Sequence, residues 1–157
     1  HVGISSDTTA AGSTAMVTFS FSHGCGDSPT TALVIQIPEA FSRATPVFAP
    51  GWSIDVETEE LDEPLTGGHG EEITERTATV TFTADEPIEN NIYAMVSVRL
   101  SLPEDAAGEA IFFPVIQECE DGEHACIEIP QEGEDPHDLE SPAPGLDVTD
   151  SEGHNGH

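Results

Sequence analysis

Basic residues are almost missing from this chain. Three arginines (Arg43, Arg76 and Arg99) and no lysine stand against 31 acidic residues, for a formal net charge of −28. A surface so poor in cations cannot follow a phosphate backbone or an anionic headgroup layer, which excludes nucleic-acid binding and electrostatic membrane docking. No apolar run approaches the roughly 20 residues that a membrane helix needs. Aromatic residues are scarce, with one Trp, one Tyr and seven Phe, too few for a broad aromatic platform under a polymer. The three cysteines allow one bridge and leave one thiol over. The chain opens on His1 with no initiator Met and no basic-then-apolar leader. The economical expectation is that a signal peptide was removed just before His1, which puts the protein outside the cytoplasm, where disulfides persist.

The 157 residues fit one domain with a tail, large enough to hide roughly two-thirds of its unfolded surface. The acids are spread along the whole chain, so most of them are expected only to solvate it. Their mutual repulsion predicts weakening at low salt and relief by screening.

The apolar pattern is that of strands. Residues 15–22 (AMVTFSFS), 32–37 (ALVIQI), 52–57, 77–83 (TATVTFT), 92–102, 110–117 (AIFFPVIQ) and 125–129 (ACIEI) are rich in β-formers, and most of them alternate. Within 92–102, Val96, Val98 and Leu100 share one face, and Tyr93, Met95 and Ser97 the other. Short strands separated by Gly, Pro, Asp and Asn clusters predict an all-β sandwich of about seven to nine strands. Connections are expected at 46–51, 62–70 and 103–108. Residues 104–109 are the one stretch that suggests a short helix, and Pro114 marks an edge or bulge. The domain is expected to span 1–130. Residues 131–157 read as a flexible acidic tail containing Pro, Gly and His, with 141–148 as the part that could pack on the domain.

An amino-terminal histidine carries its own chemistry. Its α-amine and imidazole Nδ1 can close a chelate ring on one ion, and such nitrogens suit Cu(II) in a square-planar set. A second histidine from the fold would complete a T-shaped group of three nitrogens, and His23 is placed for this in the turn 21–28 (FSHGCGDS), where Gly24 and Gly26 allow a side chain to reach a neighbouring terminus. His69, His124 and His137 lie in acidic loops with no metal-ligand spacing. His154 and His157 belong to the tail and read as incidental surface histidines, with a weak extra capture of metal as the alternative. Two pairings compete for the cysteines: Cys25 with Cys119, or Cys119 with Cys126 across the Asp-Gly turn of 117–129. The leftover thiol would be a soft ligand for Cu(I). No nucleophile elbow, phosphate loop, zinc-protease helix or calcium loop occurs, so the chain reads as a binding protein and not an enzyme.

These segments resemble the YcnI-like family of exported copper-binding proteins, also described as a domain of unknown function (DUF1775). The likeness runs over roughly residues 1–148. It is carried in order by His1-Val2, His23-Gly24-Cys25, Ser28-Pro29-Thr30-Thr31, VIQIPE at 34–39, Pro50-Gly51-Trp52, Leu102-Pro103, FPVIQECEDG at 113–122, 127–130 and 141–144. The resemblance implies an immunoglobulin-like or fibronectin-like sandwich and a copper site that uses His1 as a chelating brace. It also implies a Trp nearby and a further ligand from the turn after the second strand. That ligand is a carboxylate in some members; here the turn offers His23. The resemblance favours the Cys25–Cys119 bridge, leaving Cys126 free. It also marks a departure, because Cys126 stands where members carry a Trp, which puts a thiol in place of an aromatic wall and leaves the copper oxidation state open between Cu(II) and Cu(I). Members often continue into a carboxy-terminal membrane anchor, before which this chain stops.

The expected function is therefore a periplasmic or cell-surface copper-binding protein, a chaperone or homeostasis factor. It would hold the ion through His1 and His23, with Cys126 assisting transfer. Its partners would be copper and another copper chaperone or a membrane copper transporter, and not nucleic acid. Two other readings stay open: a copper-dependent polysaccharide monooxygenase, and an acidic structural or adhesion module with no transition-metal role.

Overall fold

Alternating β-branched and aromatic residues with one buried face pair most readily as antiparallel strands. A computed structural model describes residues 2–67 and 69–151. Eleven strands occur among them: β1 (Gly3–Ser6), β2 (Thr14–Phe21), β3 (Thr30–Gln36), β4 (Thr45–Pro46), β5 (Trp52–Thr66), β6 (Glu72–Ile88), β7 (Ala94–Ser101), β8 (Ala110–Phe112), β9 (Val115–Cys119), β10 (Glu123–Cys126) and β11 (Gly145–Asp147). A four-stranded sheet in the order β1-β2-β7-β4 faces a five-stranded sheet in the order β10-β9-β3-β6-β5, and β8 and β11 form a separate ribbon. The count exceeds seven to nine because β1, β4 and β11 are too short to leave a periodic signal.

The inward faces meet in one core. Val17, Phe19, Phe21, Val96, Val98 and Leu100 come from the first sheet, and Leu33, Ile35, Val80, Phe82 and Val115 from the second. Phe113 joins the two layers, with Phe19 edge-on at 5.5 Å and Phe41 stacked at 5.6 Å between ring centroids. Each such side chain contributes about 1.5–3 kcal/mol by leaving water. The expected division of residues 92–102 holds, with Val96, Val98 and Leu100 buried and Tyr93 and Met95 exposed.

Three expectations are corrected. The strand expected at 110–117 is two strands, because Pro114 has no N–H to give a ladder; β8 pairs with β11 and β9 with β3, while the Pro114 carbonyl accepts from Gln36 N. The strands expected at 52–57 and 77–83 extend into one long hairpin, so residues 62–66 belong to β5 and not to a connection. Its outer part is acidic and exposed, held by backbone pairing with no core beneath it, and so shows no apolar period. Residues 104–109 form reverse turns, Ala106 N to Pro103 O and Glu109 N to Ala106 O, and not a helix. Residues 141–148, the part of the tail that the sequence allowed to pack, do lie on the domain: Ala143, Leu146 and Val148 are buried, and Thr149 is hydrogen-bonded between Thr9 and Ala11. Residues 131–140 stay almost wholly at the surface.

Arg76 is the one buried cation among the described residues. Its guanidinium donates to the carbonyls of Ile37 (2.5 Å), Pro38 (2.8 Å) and Phe41 (3.4 Å) and to Glu59 (2.8 Å). It therefore pins the 37–41 crossing that delivers Phe41 to the core.

Candidate metal centre

Strand β2 ends at Phe21, and the chain then makes a tight turn carrying His23. Cys25 and Ser28 exchange backbone hydrogen bonds, each 3.1 Å, to close it. Gly24 is required by a close approach: a Cβ there would lie 1.9 Å from the Ser28 carbonyl oxygen. The turn is anchored from three sides. A disulfide joins Cys25 to Cys119 at the end of β9, with Cα atoms 6.0 Å apart. Gln117, fully buried, donates from Nε2 to the His23 carbonyl (2.7 Å) and to Thr30 Oγ1 (2.8 Å). Asn90 accepts from Gly24 N (2.6 Å) and donates to the Gly26 carbonyl (3.3 Å). The His23 side chain is exposed, so a rigid backbone presents a free imidazole. Gln117 Oε1 is buried with no hydrogen-bond donor among the described residues.

The pairing of β1 with β2 decides what lies beside that turn. Gly3 is opposite Ser20, so the start of β1 lies at the end of the sheet from which the His23 turn departs. Val2 is buried in the core cluster. His1 lies outside the described residues, as do His154 and His157. Trp52 is half-buried at the same end, edge-on to both Phe21 and Phe82 at 6.4 Å.

The other candidates separate. Cys126 is a free thiol but only 1% exposed. It pairs with Val115, four residues back along β9 from the disulfide-bonded Cys119, and β10 is followed by a segment bridged to the returning tail, with Ala143 N donating to the Glu128 carbonyl. The thiol is thus enclosed and not presented. The competing Cys119–Cys126 bridge is absent, since Cys119 is bonded to Cys25. Among the described residues, no three His, Cys, Asp or Glu side chains converge on a point that could hold a metal ion. His124 is half-buried, with Nε2 3.4 Å from Ser141 Oγ. His69 lies at the exposed tip of the long hairpin. His137 sits with Asp135, whose carboxyl is held below its ordinary range by the His137 backbone N–H first and by its imidazole second.

Gln117 and Asn90 were not legible as site residues. The one available signal for Gln117 is a polar side chain at a position whose strand neighbours two residues away, Val115 and Cys119, point inward or bond. Asn90 carries no signal beyond its place in an Asn-Asn turn.

Among solved structures, an uncharacterized protein from Nocardia farcinica with an immunoglobulin-like fold matches at a TM-score of 0.70 and 23% identity, over 95% of this chain and 98% of that one. That likeness makes the sandwich immunoglobulin-like. A DUF4466 family protein from Parabacteroides merdae gives a TM-score of 0.33 at 14% identity over 78% of this chain and 42% of that one, too low to bear on the fold. No curated protein matches the sequence. A family model described as a domain of unknown function (DUF1775) matches residues 1–148, and the chain belongs to that family.

Proposed function

We propose that this protein is an exported copper-binding protein that holds the ion reversibly through His1 and His23. One observation carries the reading: the β1–β2 register sets the start of β1 at the end of the sheet from which the His23 turn departs, and that turn, its backbone fixed by a disulfide and two side-chain amides, exposes a histidine. In the form of the protein that begins at His1, the α-amine and Nδ1 supply a chelate and the His23 imidazole a third nitrogen, a donor set suited to Cu(II). A pinned turn lowers the entropy lost on binding, because the ligand is already placed. The disulfide fits an oxidising compartment. Copper leaves by ligand exchange with a partner, and acid releases it by protonating the nitrogens. Cys126 takes part only if β10 opens, since the folded chain encloses it.

The test is titration of the untagged protein beginning at His1 with Cu(II), followed by electron paramagnetic resonance. The expected result is one stoichiometric site with nitrogen hyperfine structure, lost on adding one residue before His1 and weakened by His23→Ala. Weak binding at many sites that survives the extension would refute the brace and leave an acidic structural module. Oxidised sugars formed from polysaccharide with copper and a reductant would move the protein to the monooxygenases.

A further inference from the structure

A groove of about 480 Å³ opens beside the start of β1. Val2 forms part of its wall, with Phe112 from β8, Pro142 and Asp147 from the returning tail, and Leu139 and His137 from a short 3-10 turn, Pro136–Asp138. Val2 is peptide-bonded to His1, so the residue next to the proposed chelate and the His137 side chain share one cavity.

His137 is prepared in a particular way. Its Nδ1 lies 3.0 Å from Asp135 Oδ1, and the same oxygen accepts from the His137 backbone N–H at 2.9 Å. Capping the turn accounts for the second bond but not for the first. A carboxylate on Nδ1–H fixes the tautomer, orients the ring and leaves the Nε2 lone pair as the donor, the support that metal-bound histidines receive. The side chain is 93% exposed, and Nε2 has no hydrogen-bond partner among the described residues. Burial and packing therefore give this imidazole no task.

We propose that His137 is a further copper ligand through Nε2, with Asp135 as its positioning residue. This rests on the reading of His1 and His23 as ligands and deepens it: amine, His1 Nδ1, His23 and His137 together make the four nitrogens of a tetragonal Cu(II) site. It also gives residues 131–140 a role, as the segment that carries a ligand across the groove to the start of the chain.

The experiment uses Cu(II) and the full chain beginning at His1, read by competitive titration and electron paramagnetic resonance. His137→Ala should melt at the wild-type temperature without copper, bind Cu(II) about tenfold or more weakly, and lose one nitrogen from the hyperfine pattern. Asp135→Asn should bind about tenfold more weakly with the nitrogen count unchanged, as expected when support behind a ligand is lost. A His137→Ala protein with wild-type affinity and spectrum overturns the proposal while leaving the His1 site standing. A wild-type protein with no stoichiometric site overturns both.

Discussion

Removing the disulfide with Cys25→Ser and Cys119→Ser tests the fold and the site together. The two cysteines are 94 positions apart, so the bridge closes most of the domain into one loop. In the chain-entropy account, a loop of roughly 100 residues restrains the unfolded state by about 4.7 kcal/mol. At this chain length 1 kcal/mol moves the melting temperature by about 2–4 °C, so a fall of about 9–19 °C is expected. Urea unfolding followed by Trp52 fluorescence, with thermal melts in parallel, measures the loss. Reductant alone should bring the wild type down to the double variant and leave the variant unmoved, because Cys126 has no partner to release. The His23 turn would then lose its covalent anchor and keep only hydrogen bonds, among them those of Gln117 and Asn90, and Cu(II) affinity should fall with stability. A loss below about 1 kcal/mol would refute the reasoning, since the bridge would then not be limiting the unfolded chain.

Arg76→Met should cost about 2–4 kcal/mol, because the carbonyls of Ile37, Pro38 and Phe41 lose their donor in a buried place; a denaturant midpoint within error of wild type would contradict this. Gly24→Ala forces a Cβ onto the Ser28 carbonyl and should cost about 1–3 kcal/mol by overpacking, with weaker Cu(II) binding; an unchanged melt would show that the turn gives way freely. Raising the salt from 0.01 M to 1 M shortens the screening length from about 30 Å to 3 Å, and at a net charge of −28 the melting temperature should climb; a flat response would mean that the acids are already neutralised by bound cations.

The all-β sandwich was legible in the sequence because burial on one face of a strand imposes a period of two, and 15–22, 77–83 and 92–102 keep that period. The charge was legible from composition, and with it the exclusion of phosphate-binding partners. The family likeness pointed to the Cys25–Cys119 bridge. Spacing alone could not choose between the two pairings, since it does not say which strands are neighbours.

The tertiary structure decided what depends on register and on contacts between distant residues. The outer half of the long hairpin has no buried face and so no period to read. Ala143, Leu146 and Val148 lie in the part that the sequence allowed to pack on the domain, but three small or isolated apolar residues do not declare a strand until β8 and Glu109 accept them. The exposure of the Cys126 thiol depends on strand pairing and on what crosses β10. Gln117, Asn90 and the groove shared by Val2 and His137 join residues 64 to 135 positions apart. The sequence by itself determined which residues are buried in strands and the sign of the surface. Only the fold decided that the start of β1 lies at the end of the sheet from which the His23 turn departs, because that depends on β1 pairing with β2 through backbone hydrogen bonds, which any side chain can accompany.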